Sequence, residues 1–130
     1  MNETFYLRYA RARALDEGTA AAAVDSTLAE AASQWPVLLH GPQPAAAIWL
    51  RLRLNVEEMN RHVAHRNPLV DRLYGSFSSL VADAVVLHHQ LHLSVDSAAG
   101  VMGVERSTVA GALLTARRVF PSAFDGLKEG

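Results

Sequence analysis

The chain has 130 residues, the size of one ordinary domain or of two small lobes on a short connection. Its 12 basic and 13 acidic residues nearly cancel, so overall charge does not mark a nucleic-acid binder. Without cysteine there is no disulfide framework, thiolate metal site or thiol nucleophile, and with alanine supplying much of the apolar half, the core is expected to be modest.

The first eight residues, Met1 to Arg8, hold no apolar run of signal-peptide length, and no stretch approaches the ~20 apolar residues of a membrane-spanning helix. The expectation is a soluble, cytoplasmic protein with no membrane partner. Phe5, Tyr6, Tyr9, Ala12 and Ala14-Leu15 recur at helical spacing with Arg8, Arg11 and Arg13 between them, which predicts a first short helix ended by Asp16-Glu17-Gly18. Thr19 is read as the cap of a second helix. Its apolar set Ala22, Val24, Leu28, Ala31, Ala32 and Trp35 runs until Pro36.

From Val37 to Pro44 the glycine and prolines of His40-Gly41-Pro42-Gln43-Pro44 predict a loop. A third helix follows, with the broad apolar stripe Ala46, Ile48, Trp49, Leu52, Val56, Met59 and Val63. The polar run His62 to Arg72 contains Asn67-Pro68 and is read as a linker, because a residue before proline is pushed out of the helical region. Leu73, Phe77, Leu80, Val81, Ala84, Val85 and Leu87-His88 then predict a fourth long helix with a break near Gly75-Ser76.

The stretch Leu93 to Val109 has the spacing of a helix-turn-helix. Ser94 can cap a short helix, Ala98 and Ala99 allow close helix approach, and Gly103 can take positive φ in a turn. A second helix starts after it, with Val109, Leu113, Ala116 and Phe120 on one face and Pro121 as its stop. The fold class is therefore all-α, without a convincing strand. Two small helical lobes are expected, 1 to 64 and 73 to 121, with a linker at 65 to 72 and a tail at 122 to 130.

Asp83-Ala84-Val85-Val86-Leu87-His88-His89, Leu93-Ser94, Ala98-Ala99, Met102-Gly103-Val104, Thr108-Val109 and Leu113 with Ala116-Arg117-Arg118 form an ungapped pattern. It resembles region 4 of bacterial sigma factors of the extracytoplasmic-function type. The amino-terminal half resembles region 2 through Phe5-Tyr6, Val24-Asp25-Ser26-Thr27-Leu28 and Trp49-Leu50, but it is shortened. Around Ala22, Ala23 and Ser26 it lacks the acidic and amide residues with which the family grips polymerase, and Asp25 is the one polar match. The excess of eleven arginines over the single Lys128, with abundant alanine, fits a GC-rich bacterial genome.

The resemblance implies a transcription regulator whose second helix enters the major groove. The DNA-binding set it implies is Arg106, Ser107, Thr108, Thr115, Arg117 and Arg118. Between Asp71 and Phe120, however, four arginines stand against four acidic residues, so binding to promoter DNA is expected to be weak or assisted by polymerase or a partner. Ala110, Gly111 and Leu114 replace cations with a smooth apolar patch. This supports an alternative, a degenerate sigma-like module that binds an anti-sigma factor, polymerase or another transcription regulator through that patch, Asp25 or the Trp49 helix. Drifted surface residues without a partner would look the same.

Trp35 and Trp49 could stack an unpaired base, although their apolar neighbours favour a core role. His88 and His92 stand four apart, His62 and His65 three apart, but no cysteine or convergent carboxylate completes a tetrahedral set. No nucleophile turn, phosphate-cradling loop or carboxylate pair surrounds the serines and histidines, so neither an enzyme nor a cofactor is expected. A homodimer stays open.

Overall fold

In a computed structural model the described residues, 3–13, 16–41, 43–61 and 68–119, are all-helical, with no strand among them. The chain groups into two compact units, Met1–His65 with Val101–Gly103, and Arg66–Gly100 with Val104–Gly130.

The first unit contains α1 (Glu3–Ala12), α2 (Glu17–Ser33), α3 (Trp35–His40) and α4 (Pro44–Asn60). Asp16-Glu17-Gly18 begins a helix where the sequence suggested an end. Asp16 has extended backbone and its side chain accepts from the Thr19 amide at 2.7 Å, so it is the cap, and Glu17 and Gly18 form the first turn. Pro36 also starts rather than stops: as second residue of α3 it needs no intrahelical N–H, and part of the expected loop is helical. Pro44 plays the same part at the head of α4.

Three helices meet around Trp49, which is 2% exposed. The Tyr9 ring lies against it at 4.6 Å between centroids, tilted by 53°, and Tyr6 stands at 6.1 Å. Ala10 of α1, Ala20, Ala23 and Val24 of α2, and Leu52 and Val56 of α4 complete this core. Its alanines let the helices approach closely. Between α2 and α4 the buried Thr27 hydroxyl donates to the Ala23 carbonyl at 2.8 Å and accepts from Asn55 at 3.0 Å, so it leaves no unsatisfied polar atom. Arg51 pairs with Glu30 at the rim, 3.1 Å apart.

Arg13, which spacing placed among outward charges, is buried. Its Nη1 donates to the Tyr9 hydroxyl at 2.8 Å and stands 4.0 Å from Glu57.

The second unit contains α5 (Pro68–Ser76), α6 (Ser79–Val85), a π-helical turn (Val86–Gln90), α7 (Val95–Met102) up to Gly100, and α8 (Arg106–Val119). The expected linker thus overlaps α5, while its 65–67 portion lies outside the described residues. The expected fourth helix is two helices, and the break anticipated near Gly75-Ser76 falls at Phe77-Ser78, where Ser78 caps α6 by accepting from the Val81 amide. Ala82 through Leu87 are all buried, so this segment is enclosed on every side. Among them the Asp83 carboxylate accepts a hydrogen bond from the Tyr74 hydroxyl of α5. The π turn closes with the Leu91 amide on the Val86 carbonyl, and the Leu93 amide reaches the Leu87 carbonyl, both at 3.0 Å.

Ser94 caps α7, its hydroxyl oxygen accepting from the Ser97 amide at 3.0 Å. After Met102, Gly103 has φ +70°, and the Val104 amide returns to the Ala99 carbonyl at 3.0 Å, the hydrogen bond of a Schellman end. Glu105 then opens α8, its carbonyl accepting from the Thr108 amide at 3.0 Å. Helix α8 packs on α6 through Val109, Ala112 and Ala116. Leu113, expected on the inner face, is only partly buried, and Phe120 and Pro121 lie outside the described residues.

Candidate functional site

Helix α8 is the element on which most of the candidate residues stand. With about 100° of rotation per residue, Ser107, Gly111, Leu114 and Arg118 fall on one stripe directly opposite the buried Val109, Ala112 and Ala116. All four are exposed, Leu114 by 51%. Arg106, Ala110 and Arg117 flank the stripe on one side, Thr108 and Thr115 on the other, and these too are exposed. The six polar candidates therefore share a surface, split by an apolar centre.

Their hydrogen-bonding capacity is partly committed. Arg106 Nε lies 2.8 Å from Asp96 Oδ1, tying the first turn of α8 to the first turn of α7. Both side chains are well exposed, so the pair is worth little to stability, but it places a carboxylate beside the one cation in the first turn of α8. The Thr115 hydroxyl donates back to the Gly111 carbonyl at 3.0 Å, which leaves its oxygen free to accept and not to donate outward. Arg117 and Arg118 occupy the last turn, where positive charge also complements the helix dipole. A Cβ added at Gly111 would meet nothing within 4 Å. At that point α8 presents bare backbone to open space.

The two remaining candidates belong to the first unit. Asp25 is exposed on α2 and lines a shallow hollow of about 150 Å³ with Glu3, Thr4, Leu7, Ala21 and Val24. Trp49 is a correction to its place among the interaction residues: it is enclosed by Tyr6 and Tyr9 and offers no surface to a protein or an unpaired base. Trp35, which the sequence placed in the core, is 40% exposed instead, because the chain turns at Gln34 and Trp35 opens α3.

The histidines do not share a helical face as their spacing suggested. The helix ends at Gln90, and His92 has φ +60° beyond it. The His88 Nδ1 is 2.7 Å from the Leu93 carbonyl, and its ring stands edge-on to His89 at 4.8 Å. Among the described residues no three His, Cys, Asp or Glu side chains group as a metal site. His62 and His65 lie outside them. Likewise no helix among the described residues is long and apolar enough to cross a membrane.

The Asp96–Arg106 pair is the feature that sequence reasoning missed. Both residues were legible as charges, but their meeting depends on the angle at the turn, which no spacing rule supplies. Comparison with known families, with characterised proteins and with solved structures returns no match.

Proposed function

We propose that this chain is a sigma factor-like transcription regulator that engages promoter DNA, RNA polymerase or both through the α7–α8 helix-turn-helix. The observation that carries this reading is the outer surface of α8, where Arg106, Ser107, Thr108, Thr115, Arg117 and Arg118 are all exposed opposite the face that packs on α6. Side chains of these types on the outer face of a second helix are suited to phosphates and base edges. The role is one of positioning, in the cytoplasm, and it involves no bond chemistry. The near-neutral charge of the chain makes the contact weak without help from a partner.

Fluorescence anisotropy with GC-rich promoter fragments, titrated with salt, tests it. Binding that weakens steadily with salt, and that disappears when Arg106 and Arg117 are both changed to Ala, is the expected result. Absence of DNA affinity at low salt defeats this reading.

One observation favours a second reading. The centre of the stripe is Gly111 and Leu114, and Arg106 is already paired with Asp96, an arrangement better suited to a protein than to a polyanion. On this reading the chain is a sigma-like interaction module for an anti-sigma factor, polymerase or another transcription regulator. Leu114→Asp then abolishes co-purification of that partner and leaves any DNA affinity nearly unchanged.

A further inference from the structure

Within the first unit, α1, α2, α3 and the head of α4 enclose an open hollow of about 670 Å³, within the size range of small-molecule sites. Tyr6, Leu28, Ala31, Ala32, Trp35 and Ile48 supply its apolar wall. The hollow exists because α2 and α4 line it with alanine where a leucine would fill it. Among the described residues that line it, Glu3 is the charged one. Helix α2 ends beside it with no basic residue in its own last turn. The head of α4 lines it through Pro44, which has no N–H, and Ala45, whose amide is the donor an anionic head would use, so an anion of equal chain length is the competing ligand. Trp35, 40% exposed at the edge, presents an aromatic surface of the type that attracts organic cations.

We infer that this hollow is a binding site for a small amphiphilic cation, its apolar body held by the alanine-lined wall and its ammonium head set between Glu3 and Trp35. Charge selects the head, since the Glu3 carboxylate and the Trp35 indole ring both favour a positive group. Volume selects the body: a chain or ring of drug size fits, and an inorganic ion leaves the wall unoccupied. The site stands apart from α8 in sequence and does not depend on the transcriptional reading.

The test uses the full chain and three probes of equal chain length, octyltrimethylammonium, octanol and octanoate, each below its micelle concentration. Binding is followed through the two indole N–H resonances, with Trp35→Phe assigning them. The cation is expected to shift the Trp35 resonance saturably and to bind several-fold more tightly than octanoate. Glu3→Gln should weaken the cation about threefold and leave octanol unchanged, as removal of one exposed charge partner does. Ala32→Leu, an exposed helical position whose change does not threaten folding, should weaken all three by filling the hollow. Shifts that do not saturate, octanoate binding as tightly as the cation, or unchanged binding in Ala32→Leu would each overturn the assignment.

Discussion

The Asp16 carboxylate shows how one side chain reverses the meaning of its neighbours. Read along the sequence, Asp-Glu-Gly after an apolar run resembles a helix end, because glycine is the commonest terminator. The deciding fact is three residues downstream: the Thr19 amide is within reach of the carboxylate, and the residues that seemed to stop one helix start the next. The hydrogen bond from the Thr19 backbone, with a smaller contribution from the Thr19 side chain, holds the Asp16 carboxyl below the usual aspartate range. A pKa lowered in the folded state adds stability above the unfolded value of about 3.9, and that stability is lost as pH falls through the folded value. Melting temperature measured from pH 6 downward should therefore show an acid-side loss that is smaller in Asp16→Asn, which keeps the cap without the titration. At Arg106 the prediction concerns binding. Asp96→Asn should change stability by no more than about 0.5 kcal/mol, since the ion pair is exposed. It should also raise DNA affinity and steepen the salt dependence by about one phosphate contact on the proposed reading, and salt-titrated anisotropy reads both.

Among the elements, the α7–α8 segment was the most legible, because its rules are local. A capping serine, two small residues and a glycine at the turn specify it almost alone, and Ser94 and Gly103 stand as the sequence suggested. The two glycines of this segment make opposite predictions. Gly103, at φ +70°, sits where an L side chain is strained, and Gly103→Ala should cost at least about 1 kcal/mol in urea denaturation. Gly111 is exposed inside a helix with open space around it, so Gly111→Ala should stabilise by about 0.5–1 kcal/mol. If that more stable variant also binds DNA or a protein partner less well, bare backbone at this point is part of the interface. The elements around Pro36 and Phe77-Ser78 were less legible. Proline both ends and begins helices, and only the path of the chain decides which. The break before α6 depends on Ser78 turning its hydroxyl to the Val81 amide, a choice that apolar periodicity does not register.

For the whole molecule, apolar spacing was enough to anticipate an all-helical fold, since the buried residues of α4 and α8 keep the helical period, although Ala82 to Leu87 are buried without one. What spacing could not show is which polar residues go inside. Arg13, Thr27 and Asp83 are buried because Tyr9, Asn55 and Tyr74 on the same or adjacent helices meet them, and those pairings exist only after packing. The candidate surface on α8 was legible as a list of positions, but its ion pair with Asp96 was not. The modest, alanine-rich core anticipated from composition is present around Trp49, and the same small side chains leave the hollow beside Glu3 open. The π turn at Val86–Gln90 bears on how this chain could tolerate change in length. A π turn holds one residue more than the α-helical turn it replaces, and it takes up that residue locally. Deleting His88 would let the segment close as ordinary α-helix, with a better local hydrogen-bond ladder. Because the bulge absorbs the extra residue, the flanking residues would keep nearly the same phase, but the hydrogen bond from the Leu93 amide to the Leu87 carbonyl, which fastens the segment leading into α7, would be lost. The deletion is thus expected to give a more regular helix and yet a lower Tm by circular dichroism, so that the irregular turn serves to fasten the segment that leads into α7.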